Sequence, residues 1–233
     1  MAKILSGKIV SARVKDELKK EVEELSQRGK QTGLAVVLVG DDSASKVYVR
    51  NKEKACEEVG IYSEVHRLSA NTSEEELLKL INELNENDKI DGILVQLPLP
   101  KHLDDKVIID NIKPEKDVDA FHPSNVGKIM IGDYDFLPCT PAGIMELIHE
   151  SGVEVDGKTC VVIGRSNIVG KPMSMLLLHE NGTVTTCHSH TKNLAEVTKS
   201  ADILVAAVGI PKFVKADMVK PGAVVIDVGM DRD

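Results

Sequence analysis

The sequence predicts an α/β fold of two domains, each built on a parallel sheet, and three observations carry that prediction. Apolar runs of strand length recur along the chain and are near-continuous in Val, Ile and Leu, the pattern of strands covered on both faces. Segments with helical spacing separate them, giving the strand-helix rhythm of parallel sheets. Between residues 113 and 141 that rhythm lapses into a stretch holding Pro114, Pro123, Pro138 and Pro141 with Gly127 and Gly132, where a domain boundary belongs.

In chain order, residues 11–27 carry a charged face and an apolar stripe and read as a helix. "GLAVVLVG" (33–40) is the first strand. "SASKVYVRNKEKACEEVG" (43–60) is a helix expected to be capped at Ser43 or Ser45 and stopped by Gly60. A less apolar strand follows at 61–68. The helix at 74–85 follows Thr72 or Ser73 as N-cap with a Glu three positions on, and "DGILVQLPLP" (91–100) is the next strand. The boundary near the end of the Pro-rich stretch gives domains of 1–140 and 141–233, with a ligand cleft expected between them. The second domain reads strand 159–164, helix 173–180, and strands 183–187, 202–209 and 222–229, with no internal sequence repeat.

Composition narrows the partners. A net charge of -8 without basic clusters, three Tyr, three Phe and no Trp lacks the footprint of a nucleic-acid binder. Cys56, Cys139, Cys160 and Cys187 form no C-x-x-C pair, so reduced thiols in a cytoplasmic protein are expected, without metal or disulfide. No apolar run approaches the ~18 residues of a membrane span.

"VVIGRSNIVGKP" (161–172) runs from a strand through a glycine turn into a helix, which is how a chain presents backbone N–H groups to a phosphate. Its spacing fits neither the dinucleotide fingerprint nor the Walker loop, since five residues separate Gly164 from Gly170. About 20 residues on, where an NAD site carries an acid, the chain reads "CHSHTKN". Arg165 and Ser189 supply instead a cation and a hydroxyl suited to a 2′-phosphate, which points to NADP. His188 and His190 have the spacing of a metal pair in a strand but lack a third ligand, and are read as solvent or cofactor contacts.

In the helix at 43–60, Ala44, Tyr48, Ala55, Cys56 and Val59 form one stripe, with Lys46, Arg50, Glu53 and Glu57 opposite. Lys52 projects into the apolar stripe one turn after Tyr48, so it must be paired, snorkel or face a cavity. Gln96 closes the run "GILVQ" at the carboxyl end of a strand, where parallel sheets place ligand groups. Partial desolvation brings a lysine's proton exchange toward neutrality, and a glutamine can hold it without a full ion pair. "PEKDVDAFHP" supplies Asp117 and Asp119, and a carboxylate suits an edge with two N–H donors such as that of a pterin.

With these segments assembled, the chain resembles the methylenetetrahydrofolate dehydrogenase/cyclohydrolase family. The ordered set "YVRNK", "VQLPLP", "PEKDVDAFHP", "PCTPAGI", "VVIGRSNIVGKP", "TVTTCHSHT" and "DVG" carries the resemblance over nearly the whole length. It implies an N-terminal α/β folate domain and a Rossmann-like NADP domain, in a homodimer. It also implies oxidation of methylenetetrahydrofolate by NADP and hydrolysis of the methenyl product to formyltetrahydrofolate, in one-carbon metabolism. Carried over by motif, Lys52, Tyr48 and Gln96 are catalytic, and Tyr48, Lys52, Gln96, Leu97 and Asp119 bind substrate. Gly164, Arg165, Ser166, Val169, Gly170, His188 and Ser189 hold the cofactor. Family members continue past the position of Asp233, so the sequence as given is expected to lack their C-terminal segment. Two alternatives stand beside this reading: a shikimate-dehydrogenase-like NADP enzyme, and a nucleotide-binding module without catalysis.

Overall fold

A computed structural model describes residues 3–229 and divides the chain into two compact units, Ser11–Asn125 and Met1–Val10 with Val126–Asp233. The elements run α1 (Gly7–Gln27), β1 (Gly33–Val39), α2 (Ser43–Val59), β2 (Tyr62–Leu68), α3 (Glu74–Asn85), β3 (Gly92–Val95), α4 (Asp105–Asp110), α5 (Pro123–Ile131) and α6 (Cys139–Ser151). They continue β4 (Thr159–Ile163), α7 (Gly170–His179), β5 (Thr183–Cys187), α8 (Leu194–Lys199), β6 (Ile203–Ala206) and β7 (Val224–Asp227). Every strand expected from the sequence is present and every pairing is parallel, so the α/β class with parallel sheets holds. Among the described residues no helix is long and apolar enough to cross a membrane.

In the unit Ser11–Asn125 the strand order is β2-β1-β3. One face of the sheet packs Val37, Val39, Ile93 and Val95 against Leu77, Ile81 and Leu84 of α3. The other sets Val36, Leu38 and Leu94 against Val49 of α2. Burying each such side chain contributes about 1.5–3 kcal/mol, and β1 draws on both faces because its residues Ala35 to Val37 are wholly inaccessible. In the other unit the order is β5-β4-β6-β7. There α6 and α7 cover one face through Ile144, Ile148, Met173 and Leu177, and α8 packs on the other through Leu194 and Val197.

Local chemistry sets the helix ends. A capping box starts α3, Ser73 Oγ accepting from Glu76 N and Glu76 Oε2 accepting from Ser73 N. The cap of α2 is Asp42 rather than Ser43 or Ser45: its carboxylate accepts from Ser45 N at 2.7 Å, and Ser45 is buried in the first turn. Gly60 ends α2 in the left-handed conformation, as the sequence indicates. Two helices begin before the residues expected from the sequence, α1 at Gly7 and α7 at Gly170. The Pro-rich stretch is also less irregular than expected, holding α5 with Pro123 as its first residue, a position where proline's missing N–H costs nothing.

The two sheets repeat a device that the sequence does not advertise. The residue just before β3 is Asp91: its N–H donates to Gly33 O, and its carboxylate accepts from Gly33 N, both at 2.8 Å. The residue just before β6 is Asp202, which meets Thr159 the same way, N to O at 2.8 Å and Oδ2 from N at 3.0 Å. Each aspartate closes the first backbone pair of the central strand at the sheet's amino end. The repeat is one of topology, not of sequence.

Asp202 also accepts from Lys220 Nζ, and this ammonium, with the Thr159 N–H, holds the Asp202 carboxyl below the usual carboxylate range. A depressed folded-state pKa stabilises above the unfolded value and loses that stabilisation as pH falls through the folded one. Asp202→Asn keeps an acceptor for Thr159 but removes the charge. We expect a lower urea midpoint than native at pH 7, with the gap closing as pH falls from about 4; a gap independent of pH would exclude the charge.

Candidate functional site

The described chemistry gathers at the carboxyl ends of both central sheets. In the first unit, Lys52 lies half-buried on α2 between Val49 and Cys56, in a buried line that runs Ser45, Val49, Cys56, Val59. The stripe therefore sits one residue round from the expected one, and Tyr48 falls on its flank, 37% exposed. Lys52 Nζ donates to Gln96 Oε1 at 3.1 Å. Gln96 follows β3 directly, its N–H donating to Val37 O at 2.9 Å, and its Nε2 donates to Leu97 O at 2.8 Å. That second bond fixes the amide: the NH₂ faces a carbonyl, so the oxygen faces the lysine. Leu97 turns its half-buried side chain onto the core under α3 and contributes its carbonyl here.

Other lysines of this chain meet carboxylates: Lys46 pairs with Asp41, Lys128 with Asp135 and Lys220 with Asp202. At Lys52 the half-buried ammonium is oriented by an amide oxygen, which adds no negative charge beside it.

The two acids of "DVD" have different surroundings. Asp117 is 2% exposed, and its Oδ2 accepts from His122 N at 2.8 Å and Asn125 Nδ2 at 2.9 Å. Asp119 is half-buried. A parallel bridge between Ile93 and Asp117 sets this segment beside β3, running toward the end that carries Gln96. Val118 packs on the face that holds Val49 of α2, and a Cβ on Gly92 would lie 2.5 Å from Val118 Cγ1. Gly92 is thus glycine so that Val118 can seat. The structure brings Lys52, Gln96 and the "DVD" segment onto one small core, and this closing network of Asp117, His122 and Asn125 was not read from the sequence. The signal available was a glycine inside an apolar strand, which marks close backbone approach.

In the second unit, Gly164 to Gly170 joins β4 to α7. Gly164 has φ +128°, and a Cβ there would come within 2.5 Å of Ala207 O. A Cβ on Gly170 would lie 2.2 Å from Gly164 O. With five residues between them, the loop closes Gly170 onto Gly164 while Gly164 lies against Ala207, and neither glycine can carry a side chain. Ser166 Oγ accepts from Val169 N at 3.1 Å and Gly170 N at 3.3 Å, so this hydroxyl shapes the turn from inside. Arg165 is exposed. Ile163 pairs with Cys187, so Arg165 and the exposed Ser189 stand equally far beyond adjacent strands. His188 Nδ1 accepts from His190 N at 3.2 Å, the rings 5.9 Å apart. Among the described residues no group of three or more His, Cys, Asp or Glu is placed to hold a metal ion. Burial pushes the Cys160 thiol of β4 up to about 11, which marks it as core packing.

Comparison with known proteins identifies the family. Residues 5–119 match the model of the tetrahydrofolate dehydrogenase/cyclohydrolase catalytic domain, and residues 138–233 that of its NAD(P)-binding domain. The bifunctional protein FolD of Acetivibrio thermocellus is 63% identical over 99% of this chain and 81% of its own length. The structure of the bifunctional FolD methylenetetrahydrofolate dehydrogenase/cyclohydrolase from Campylobacter jejuni is similar with a TM-score of 0.95 at 48% identity, covering 99% of this chain and 82% of that one. The Trypanosoma brucei dehydrogenase-cyclohydrolase, complexed with NADP cofactor and inhibitor, gives 0.94 at 40% identity, covering 98% and 79%.

The glycine pair yields a direct test. Gly170→Ala must displace backbone, not a flexible side chain, and should destabilise the chain by on the order of 1–3 kcal/mol, read as a lowered urea midpoint. An unchanged midpoint would show that the loop ends can part freely.

Proposed function

The chain belongs to the tetrahydrofolate dehydrogenase/cyclohydrolase family, and from that membership we infer its chemistry: it oxidises methylenetetrahydrofolate with NADP and hydrolyses the methenyl product to formyltetrahydrofolate. The family match over both domains replaces the shikimate-dehydrogenase-like and non-catalytic alternatives. The observation that carries the assignment of roles is Lys52 held by Gln96 at 3.1 Å inside a buried helix stripe.

The second unit fits a dinucleotide: a glycine-closed loop leads into α7, with an exposed guanidinium and an exposed hydroxyl beyond neighbouring strands. When bound, NADP supplies the hydride acceptor. Arg165 and Ser189 take its 2′-phosphate, Gly164 and Gly170 leave room for backbone approach to the pyrophosphate, and Val169 and His188 border it. Ser166 holds the turn in shape. In the first unit, Asp119 accepts the paired N–H donors of the pterin edge and Tyr48 lies beside the ring. Lys52 takes a proton from the water that attacks the methenyl carbon and returns it to the ring nitrogen as its bond to that carbon breaks, while the second water proton leaves to solvent as the formyl carbonyl forms. Gln96 aims the amine through both steps. Hydride transfer asks mainly for alignment of two rings, whereas hydrolysis asks for a proton carrier, so Lys52 belongs chiefly to the second reaction. The reading extends to a cytoplasmic homodimer; the four free thiols, three of them buried, suit a reducing compartment.

Mixing the protein with methylenetetrahydrofolate and NADP should produce NADPH and then formyltetrahydrofolate. Lys52→Met should reduce the hydrolysis by at least about 100-fold while NADP binding persists; undiminished hydrolysis would remove Lys52 from the mechanism. Arg165→Ala should weaken NADP more than NAD by about 1–3 kcal/mol. Equal losses for the two cofactors, measured by titration, would refute the 2′-phosphate contact.

A further inference from the structure

We propose that Asp117 is a positioning residue for folate: it never touches substrate, and it fixes the backbone that presents Asp119. The proposal rests on the assignment of Asp119 to the pterin edge. Four observations converge on it. Asp117 is a carboxylate only 2% exposed, beside a half-buried Asp119. Its Oδ2 collects two donors, His122 N at 2.8 Å and Asn125 Nδ2 at 2.9 Å, while Asn125, itself 3% exposed, also donates to Pro114 O at 2.9 Å. Its main-chain oxygen accepts from Ala120 N at 3.1 Å, and its own N–H lies 3.1 Å from Lys113 O. Between these anchors Ala120 stands at φ +55°, a left-handed conformation unusual for a residue with a side chain, with its methyl buried at 1% exposure.

A residue in that conformation persists only where its surroundings hold it. Asp117 supplies the hold, gripping the segment through its main-chain oxygen at Ala120 and through its carboxylate at His122. The clamp spans Asp119 in sequence. With Val118 seated over Gly92, little freedom remains in the backbone that carries the Asp119 carboxylate. Without the Asp117 oxygens the His122 N–H and the Asn125 amide would lose an acceptor in a buried place, and the segment would relax away from the left-handed turn.

The test compares Asp117→Ala, Asp117→Asn and Asp119→Asn by steady-state kinetics. Asp117→Ala should raise KM for methylenetetrahydrofolate by about tenfold or more, leaving KM for NADP unchanged because the cofactor residues lie in the other unit. Asp117→Asn retains an acceptor oxygen and should recover most of that loss. If the asparagine is as damaging as the alanine, the charge itself is needed and Asp117 acts on substrate directly, which overturns the proposal. An equal rise in both KM values, or a lower kcat with neither KM moved, marks general damage and overturns it as well. Asp119→Asn separates the two claims: if it leaves the folate KM unchanged, the assignment of Asp119 falls, whatever Asp117 does. Should Asp117→Ala not fold, Asn125→Ala removes one of the two donors to Oδ2. It should raise the same KM selectively, and an unmoved KM would count against the clamp.

Discussion

A parallel strand covered on both faces has no room for a functional group along its length. β1 and β4 are the central strands of their sheets, and each is wrapped by helices above and below, with Val36, Val37, Val161 and Val162 wholly buried. Every group that meets a ligand must then stand where the strands run out, and the right direction is fixed because all strands point the same way. The amino ends are closed instead. Asp91 and Asp202 tie the first residue of each of these strands to its neighbour through main chain and side chain together.

At the open ends the chain solves two different problems. Around Gly164 and Gly170 the proposed task is to bring backbone close to a polyanion, and the loop has the form for it: the carbonyl of Gly164 occupies the space of the missing Cβ of Gly170. The spacing differs from the usual dinucleotide fingerprint because this loop folds on itself and is held by the Ser166 hydroxyl. Around Gln96, in the proposed reading, the task is to aim an amine at a reacting carbon. A carboxylate would have met Lys52 with a counter-charge. The amide oxygen gives direction at lower electrostatic cost, and Leu97 O holds that amide in turn.

Much of this was legible in the sequence, and the reason is physical. Doubly covered strands must be near-continuous in Val, Ile and Leu, so β1, β3, β4 and β6 stood out. The less apolar edge strands β2 and β5 followed from the strand-helix rhythm, and a lysine in an apolar stripe is conspicuous because it is costly. What the sequence hid was everything decided by backbone approach across the chain. Asp42 rather than Ser43 or Ser45 caps α2: its carboxylate takes the Ser45 N–H, while Ser43 is the first helical residue and Ser45 lies buried in the first turn. α5 was lost in the Pro-rich stretch because proline reads as a breaker, yet at the first helical position it is a starter. The aspartate device at the two sheet edges escaped notice because "DGILV" and "DILVA" share too few letters to announce a repeat.

The pair Asp117 and Asp119 shows why residue type alone could not apportion the site. Both are acids in one short motif, and either would suit a pterin edge on chemical grounds. Burial decides between them: a carboxylate that already accepts from a backbone N–H and a side-chain amide, at 2% exposure, has its oxygens turned inward. In the other unit both Ser166 and Arg165 are exposed, and hydrogen bonding rather than burial tells them apart: the Ser166 hydroxyl accepts from Val169 N and Gly170 N. In each unit one polar group is engaged within its own segment and sets its shape, and in the proposed reading its neighbour meets the ligand. The engaged member needs only an acceptor in the right place, whereas the other must match the charge of what it binds. Substitutions that keep shape but change charge therefore separate the two kinds of residue, even where they stand side by side.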